Sequence, residues 1–119
     1  MTFKNDQVLE FYKELPFNIY GDIDSAVNQI KKYDPLEVYP ELKKIFDKIQ
    51  NKKINIIDFG CGGGWLVNSL NYHHASKVNV KGVDFNPTVI QYANKIKDKL
   101  NLKSNFATSD LFSYVDDVK

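Results

Sequence analysis

Apolar and polar residues alternate along this chain in two rhythms, and the change falls near residue 52. Ahead of it the spacing is helical. Val8 to Leu15 predicts one short helix, stopped by Pro16. Residues 16–22, PFNIYGD, form a turn-rich segment with aromatics. Ala26, Val27 and Ile30 give a second helix its apolar side, with Asp24 as the cap. The Asp34-Pro35 pair ends it, because a residue before proline is pushed out of the helical region. A third helix is predicted from Pro40, since proline suits a first turn. Leu42, Ile45, Phe46 and Ile49 then share one face at helical spacing.

Beyond that point short apolar runs alternate with amphipathic stretches. Ile54, Ile56, Ile57 and Phe59 form a run too brief for a helix, which suits a strand buried on both faces of a parallel sheet. Glycines at 60 and 62–64 follow, then a helix over Trp65 to His74. A second strand is expected over Val78 to Phe85. Asn86 and Pro87 read as the cap and first residue of the next helix, whose inner face carries Val89, Ala93, Ile96 and Leu100. Lys95, Lys97 and Lys99 lie toward its carboxyl end, where the helix dipole favours cations. Asn101 is suited to end it in a left-handed conformation. Residues 104–108 read as a third strand. Strand, helix, strand, helix, strand is the opening of a doubly wound α/β fold. The division is therefore a helical cap region over 1–51 and a partial α/β domain over 52–119.

Composition narrows the picture only a little. The 119 residues suffice for one small domain, and 43% hydrophobic with 26% charged content is ordinary for a globular protein. A net charge of +1 gives no pull toward nucleic acid or an anionic membrane. No apolar run approaches the roughly 20 residues of a membrane span. The N-terminus lacks an apolar signal core, and Cys61 is the sole cysteine. Both point to a reducing, cytoplasmic setting.

The chemistry concentrates in Ile57-Asp58-Phe59-Gly60-Cys61-Gly62-Gly63-Gly64, where a strand runs through glycines into a helix. Backbone without side chains turns sharply and lets a ligand approach closely. Amides at the helix start attract a carboxylate or phosphate. The dinucleotide fingerprint G-x-G-x-x-G would place its third glycine at Trp65, where an indole hinders close helix–strand packing. No Gly-Lys-Ser/Thr follows, which excludes a P-loop. The glycines instead read G-x-G-x-G at Gly60, Gly62 and Gly64, with Asp58 two residues ahead.

This D-x-G-x-G-x-G at the end of a first strand resembles motif I of the class I S-adenosylmethionine-dependent methyltransferases. Val80-Lys81-Gly82-Val83-Asp84-Phe85-Asn86-Pro87 resembles that family's second strand with its terminal acid. Thr108-Ser109-Asp110-Leu111 resembles its third landmark. The likeness spans residues 54–111 and implies a Rossmann-like sheet with S-adenosyl-L-methionine as cofactor. By match, Asp84 would bind both ribose hydroxyls. A carboxylate with two acceptor oxygens suits two hydroxyl donors. Asp110 would accept from the adenine amino group, and the Leu111 amide would meet a ring nitrogen; otherwise Asp110 is an exposed loop acid. Phe85 either packs against the adenine or belongs to the core. Asp58 either helps position the methionine end through water or bonds loop amides. Gly60, Cys61, Gly62 and Gly64 would form the wall beside the cofactor.

The implied reaction is methyl transfer to an acceptor that the sequence does not identify, and no catalytic residue is assigned. Two other readings stay open. One is a non-catalytic or truncated cofactor-binding module; the other is an NAD-dependent oxidoreductase, against which Trp65 stands. Cys61 has no evident base to activate it as a nucleophile. His73-His74 lacks partners at metal-ligand spacing and reads as a surface helix end. Tyr12, Phe17 and Tyr20 are candidates for a lid or for packing. The resemblance stops before a fourth strand. The first strand, central in a doubly wound sheet, is therefore expected to keep one edge unpaired, to favour self-association and to leave this chain without methyl transfer of its own.

Overall fold

The computed structural model describes residues 22–49 and 52–110. The expected helix over 8–15, Tyr12, Phe17 and Tyr20, Leu111 and the segment 114–119 lie outside the described residues. Three helices precede the sheet: α1 (Ile23–Lys32), α2 (Pro35–Val38) and α3 (Pro40–Lys48). The sheet region then runs β1 (Ile54–Phe59), α4 (Trp65–His74), β2 (Val78–Asp84), α5 (Pro87–Lys99) and β3 (Asn105–Thr108). The strands are parallel in the order β1-β2-β3. Ile54 pairs with Val78 through to Phe59 with Val83, and Lys81 with Asn105 through to Asp84 with Thr108. This is the opening of a Rossmann-like α/β sheet, in which helical crossovers join parallel strands.

Local chemistry sets most boundaries. The cap of α1 is Asp22 and not Asp24: Asp22 Oδ1 accepts from the Asp24 amide at 3.0 Å, which puts Asp24 inside the first turn. Asp34-Pro35 does end α1, but it also starts α2. Asp34 Oδ1 accepts the Leu36 amide at 2.9 Å and Pro35 fills the first turn. Asn86 caps α5, its Oδ1 accepting the Thr88 amide at 2.9 Å. Asn101 follows α5 at φ 53, and the Leu102 amide reaches back to the Lys97 carbonyl at 3.0 Å. That is the left-handed helix ending its sequence predicts.

The core lies on one face of the sheet. Phe46, Val67, Leu70, Val78 and Val80 form a buried cluster, joined by Leu42, Ile54, Ile56 and Phe106. A second cluster, Val27, Ile30 and Ile96 with Trp65 and Tyr92 beside it, seats α1 against α4 and α5. Strand alternation sends Asn55, Ile57 and Phe59 to the opposite face, where all three are exposed. Among the described residues β1 is thus covered on one face only, and it stands at an edge of the sheet. Among the described residues the expectation of burial on both faces fails because the two crossover helices, α4 and α5, pack on a single side. On α3, Phe46 is buried and Leu42 partly so, whereas Ile45 and Ile49 are exposed. The stripe that meets the core is narrower than the periodicity suggests.

His73 and His74 are partly buried and act as ties, not as a bare helix end. His73 Nε2 lies 2.7 Å from the Ile30 carbonyl, a contact that requires the proton on that nitrogen. His74 Nε2 meets Asp34 Oδ1 at 2.8 Å. Together they fasten the end of α4 to the α1–α2 junction. Burial alone would raise the Asp34 carboxyl, but the His74 hydrogen bond, the Leu36 amide and the nearby histidine charges outweigh it and hold it below its ordinary value.

Candidate functional site

The carboxyl ends of all three strands meet the glycine turn. The Gly60 and Cys61 amides both donate to the Val83 carbonyl, at 2.7 and 3.1 Å, and lash the turn to the end of β2. The Ser109 amide donates to the Asp84 carbonyl at 2.9 Å and draws in the end of β3. Asp58, Gly60, Cys61, Gly62, Gly64, Asp84, Phe85 and Asp110 are thereby gathered at one end of the sheet. In open α/β sheets this is the end at which ligands bind.

The turn is built for close approach. Gly60, Gly62 and Gly64 have φ of 74, 56 and 80, in the left-handed region that side chains avoid. Among the described residues a Cβ at Gly60 or Gly62 would meet nothing within 4 Å, so both backbones border open space there. Gly64 is different. A Cβ there would come within 2.8 Å of the Ala93 Cβ and the Phe106 ring. Gly64 therefore does the close-packing work that the dinucleotide pattern would assign to position 65. Among the described residues no side chain caps α4, and no acidic residue occupies its first turn. Its leading amides remain suited to an anionic group.

Asp84 is the hinge of the arrangement. Its Oδ2 accepts the Gly62 amide at 3.0 Å, 22 residues away in sequence, and its Oδ1 accepts the Asn86 amide at 2.9 Å. A carboxylate has about four acceptor positions, so each oxygen keeps capacity for one further donor. Burial first, and then the neighbouring Asp84 charge, raise the Asp58 carboxyl above its ordinary value. Two acids facing one turn favour a ligand that brings positive charge. Burial, with the charges of Asp58 and Asp84 after it, pushes the Cys61 thiol up to about 12. It is thus a neutral wall residue and no nucleophile at physiological pH. Phe85, following Asp84, exposes 78% of its surface, which settles its alternative in favour of a side chain outside the core. Asp110 is exposed next to the end of β3.

Gly82 is a residue that sequence reasoning passes over. It lies in mid-strand, where a Cβ would come within 2.8 Å of both the Cys61 sulfur and the Phe106 ring. Its absent side chain lets the turn fold down onto β2. A glycine within an otherwise apolar strand, two residues before the acid, is the signal that marks it. Among the described residues no group of three or more His, Cys, Asp or Glu is placed to hold a metal ion. No helix among them is long and apolar enough to cross a membrane.

The sequence profile of the methyltransferase domain family matches residues 50–116, more than half of the chain. No curated protein matches the chain. Among solved structures, the bifunctional kinase-methyltransferase WbdD aligns over 92% of this chain and 25% of its own, with 17% identity and a TM-score of 0.60. A tRNA (uracil-54, C5)-methyltransferase of Pyrococcus abyssi, in complex with S-adenosyl-L-homocysteine, is 24% identical over 60% of this chain and 17% of its own, at a TM-score of 0.45. Coclaurine N-methyltransferase, bound to N-methylheliamine and S-adenosyl-L-homocysteine, is 21% identical over 59% of this chain and 20% of its own, at 0.48. The chain spans a quarter or less of the length of each. The likeness to WbdD is one of fold.

Proposed function

Because the chain belongs to the methyltransferase domain family, we propose that residues 52–119 are the cofactor-gripping portion of an S-adenosylmethionine-dependent methyltransferase, with residues 1–51 as a helical cap. The observation that carries the reading is the Asp84 carboxylate held across the glycine turn, 3.0 Å from the Gly62 amide.

The residues present fit this cofactor on three counts. Among the described residues nothing stands within 4 Å of where a Cβ at Gly60 or Gly62 would lie, leaving room for a ligand that side chains would intrude on. Asp84 keeps acceptor capacity on both oxygens for a pair of ribose hydroxyls. Asp58, raised by burial and by Asp84, gains from a cationic group nearby. When bound, the cofactor supplies a methyl group on a positively charged sulfur, open to in-line attack. What this chain contributes is position and field. Asp84 would orient the ribose, the exposed Phe85 ring would cover the base, and Asp110 with Leu111 would read its edge. Asp58 would favour the amino end of the methionine moiety, while Gly60, Cys61, Gly62 and Gly64 keep the wall thin. Cys61, protonated and acid-flanked, takes no proton. The acceptor and any base acting on it are not assigned to these residues.

We place the protein in the cytoplasm, in keeping with its single unpaired cysteine. Among the described residues β1 stands at an edge of the sheet, which supports weak self-association where nothing else covers that edge. The decisive experiment is thermal stabilisation by S-adenosylhomocysteine against NAD. A melting temperature raised by the first and not by the second is expected. Stabilisation by NAD alone would return the oxidoreductase reading.

A further inference from the structure

One side chain joins the leading helices to the glycine turn. Trp65 opens α4 directly after Gly64. Its indole packs on the buried Val38 of α2, with Tyr33 and Tyr39 beside it. The same ring packs against the cluster that Val27 and Ile30 of α1 form with Ile96 of α5. Among the described residues Trp65 alone belongs to both groups. The far end of α4 meets the same pair of helices, through His73 on the Ile30 carbonyl and His74 on Asp34. The helix is therefore seated on α1 and α2 at both of its ends.

The first turn is where that seat bears on ligand binding. The leading amides of a helix have no partner within it, and those of α4 follow the glycine turn directly. On one side this turn is set by the sheet and α5. A Cβ at Gly64 would come within 2.8 Å of the Ala93 Cβ and the Phe106 ring, and Leu66 and Val67 pack into the sheet core. On the other side it is set by the indole. Where the dinucleotide pattern requires a bare backbone, this chain places its sole tryptophan. A large side chain in a close-packed seat moves little without moving its own backbone. Trp65 thus has its ring among α1, α2 and α5 and its amide at the ligand end of α4. Loosening the ring lets the amide drift, and hydrogen bonds weaken steeply once misaligned.

We infer, on the cofactor reading above, that Trp65 is a positioning residue: seated by α1 and α2, it holds the leading amides of α4 in place for the methionine moiety, so that these two helices set cofactor affinity through the indole. By linkage, a cofactor that gains from the seat tightens it in turn.

The test is S-adenosylhomocysteine binding, by calorimetry on the 119-residue chain at a temperature where each variant is folded. Trp65→Ala should lower the affinity about tenfold, much of the worth of one hydrogen bond to a charged group. Trp65→Phe refills most of the seat and should restore most of the affinity. Val38→Ala takes a side chain from beneath the indole, leaves the residues of the turn as they are, and should weaken binding several-fold. Val78→Ala makes the same change at a similarly buried position, 2% against 4% exposed, but at the amino end of β2. It should melt lower yet bind like the wild type. The emission of Trp65, the sole tryptophan, should change saturably with ligand. If Trp65→Ala does not fold, the two valine variants carry the test. Affinity left unchanged by Val38→Ala, equal losses in Val38→Ala and Val78→Ala, or emission unmoved at saturation would overturn the positioning role and leave the cofactor reading intact. Absence of wild-type binding at millimolar ligand would overturn both.

Discussion

Replacing Asp84 with alanine removes one carboxylate and four bonding opportunities. Two of them are visible: the Gly62 amide at 3.0 Å and the Asn86 amide at 2.9 Å. The other two are the remaining acceptor positions, one on each oxygen, proposed for the ribose hydroxyls. A hydrogen bond to a charged group is worth about 1.5–3 kcal/mol net, and two bonds from one carboxylate are not additive. Asp84→Ala should therefore weaken S-adenosylhomocysteine binding by about 2–3 kcal/mol, roughly 30- to 150-fold. The apo protein should lose only about 1 kcal/mol, because the released amides lie at a half-open turn and can bond water. Asp84→Asn keeps one acceptor oxygen and should fall between the two. Isothermal calorimetry at neutral pH measures all three, with a thermal melt of each apo protein beside it. Binding by Asp84→Ala within twofold of wild type would refute the argument. So would a variant that fails to fold, since the carboxylate would then be structural and not a ligand group.

Other expectations follow from the same turn and from the histidine tie. Asp58→Asn should raise the apo melting temperature yet weaken cofactor binding. Its folded pKa is raised, so the wild type loses stability as pH climbs from the ordinary carboxylate value to the folded one, and the asparagine variant does not; parallel pH-melting curves would contradict this. Gly64→Ala should cost more stability than Gly62→Ala, about 3 against 1–2 kcal/mol, since its Cβ would crowd Ala93 and Phe106 at 2.8 Å while the Cβ of Gly62→Ala meets open space. Asp34→Asn keeps the α2 cap but loses the charged partner of His74. The lowered Asp34 pKa makes that contribution present above the ordinary carboxylate value and lost as pH falls through the folded one, so the two proteins should converge in acid melts. Cys61, at about 12, should react with iodoacetamide at pH 8 roughly a thousandfold more slowly than an ordinary thiol.

The strand–turn–helix motif was legible because its signals are local. Glycine spacing, the apolar run before it and Asn86-Pro87 each state their conformation within a few residues. The bounds of β1 and α4 follow from them. Most of what escaped reading depends on partners distant in sequence, the α1 cap being a local exception. Asp22 and Asp24 are equally good caps on paper, and only the reach of one carboxylate to the other's amide separates them. The helix α2 is four residues long, too short for a periodicity, and its cap Asp34 is tied to His74 40 residues on. Ile45, Ile49, Ile57 and Phe59 are apolar in sequence but exposed, because burial depends on what packs against a face and not on the face alone. In the site, the identity of Asp84 was readable from its place at a strand end. Its grip on the Gly62 amide was not, since it spans 22 residues.

In the proposed site the glycine turn and the Asp84 carboxylate together hold S-adenosylmethionine at the carboxyl ends of the strands. An amide-resolved NMR titration of the ¹⁵N-labelled chain with S-adenosylhomocysteine tests it most directly. Saturable shifts centred on Gly60, Cys61, Gly62, Asp84, Phe85 and Asp110 are expected, with Asn55, Asn79 and Lys103 unmoved. Shifts at the amino ends of the strands, or none at millimolar ligand, would contradict it.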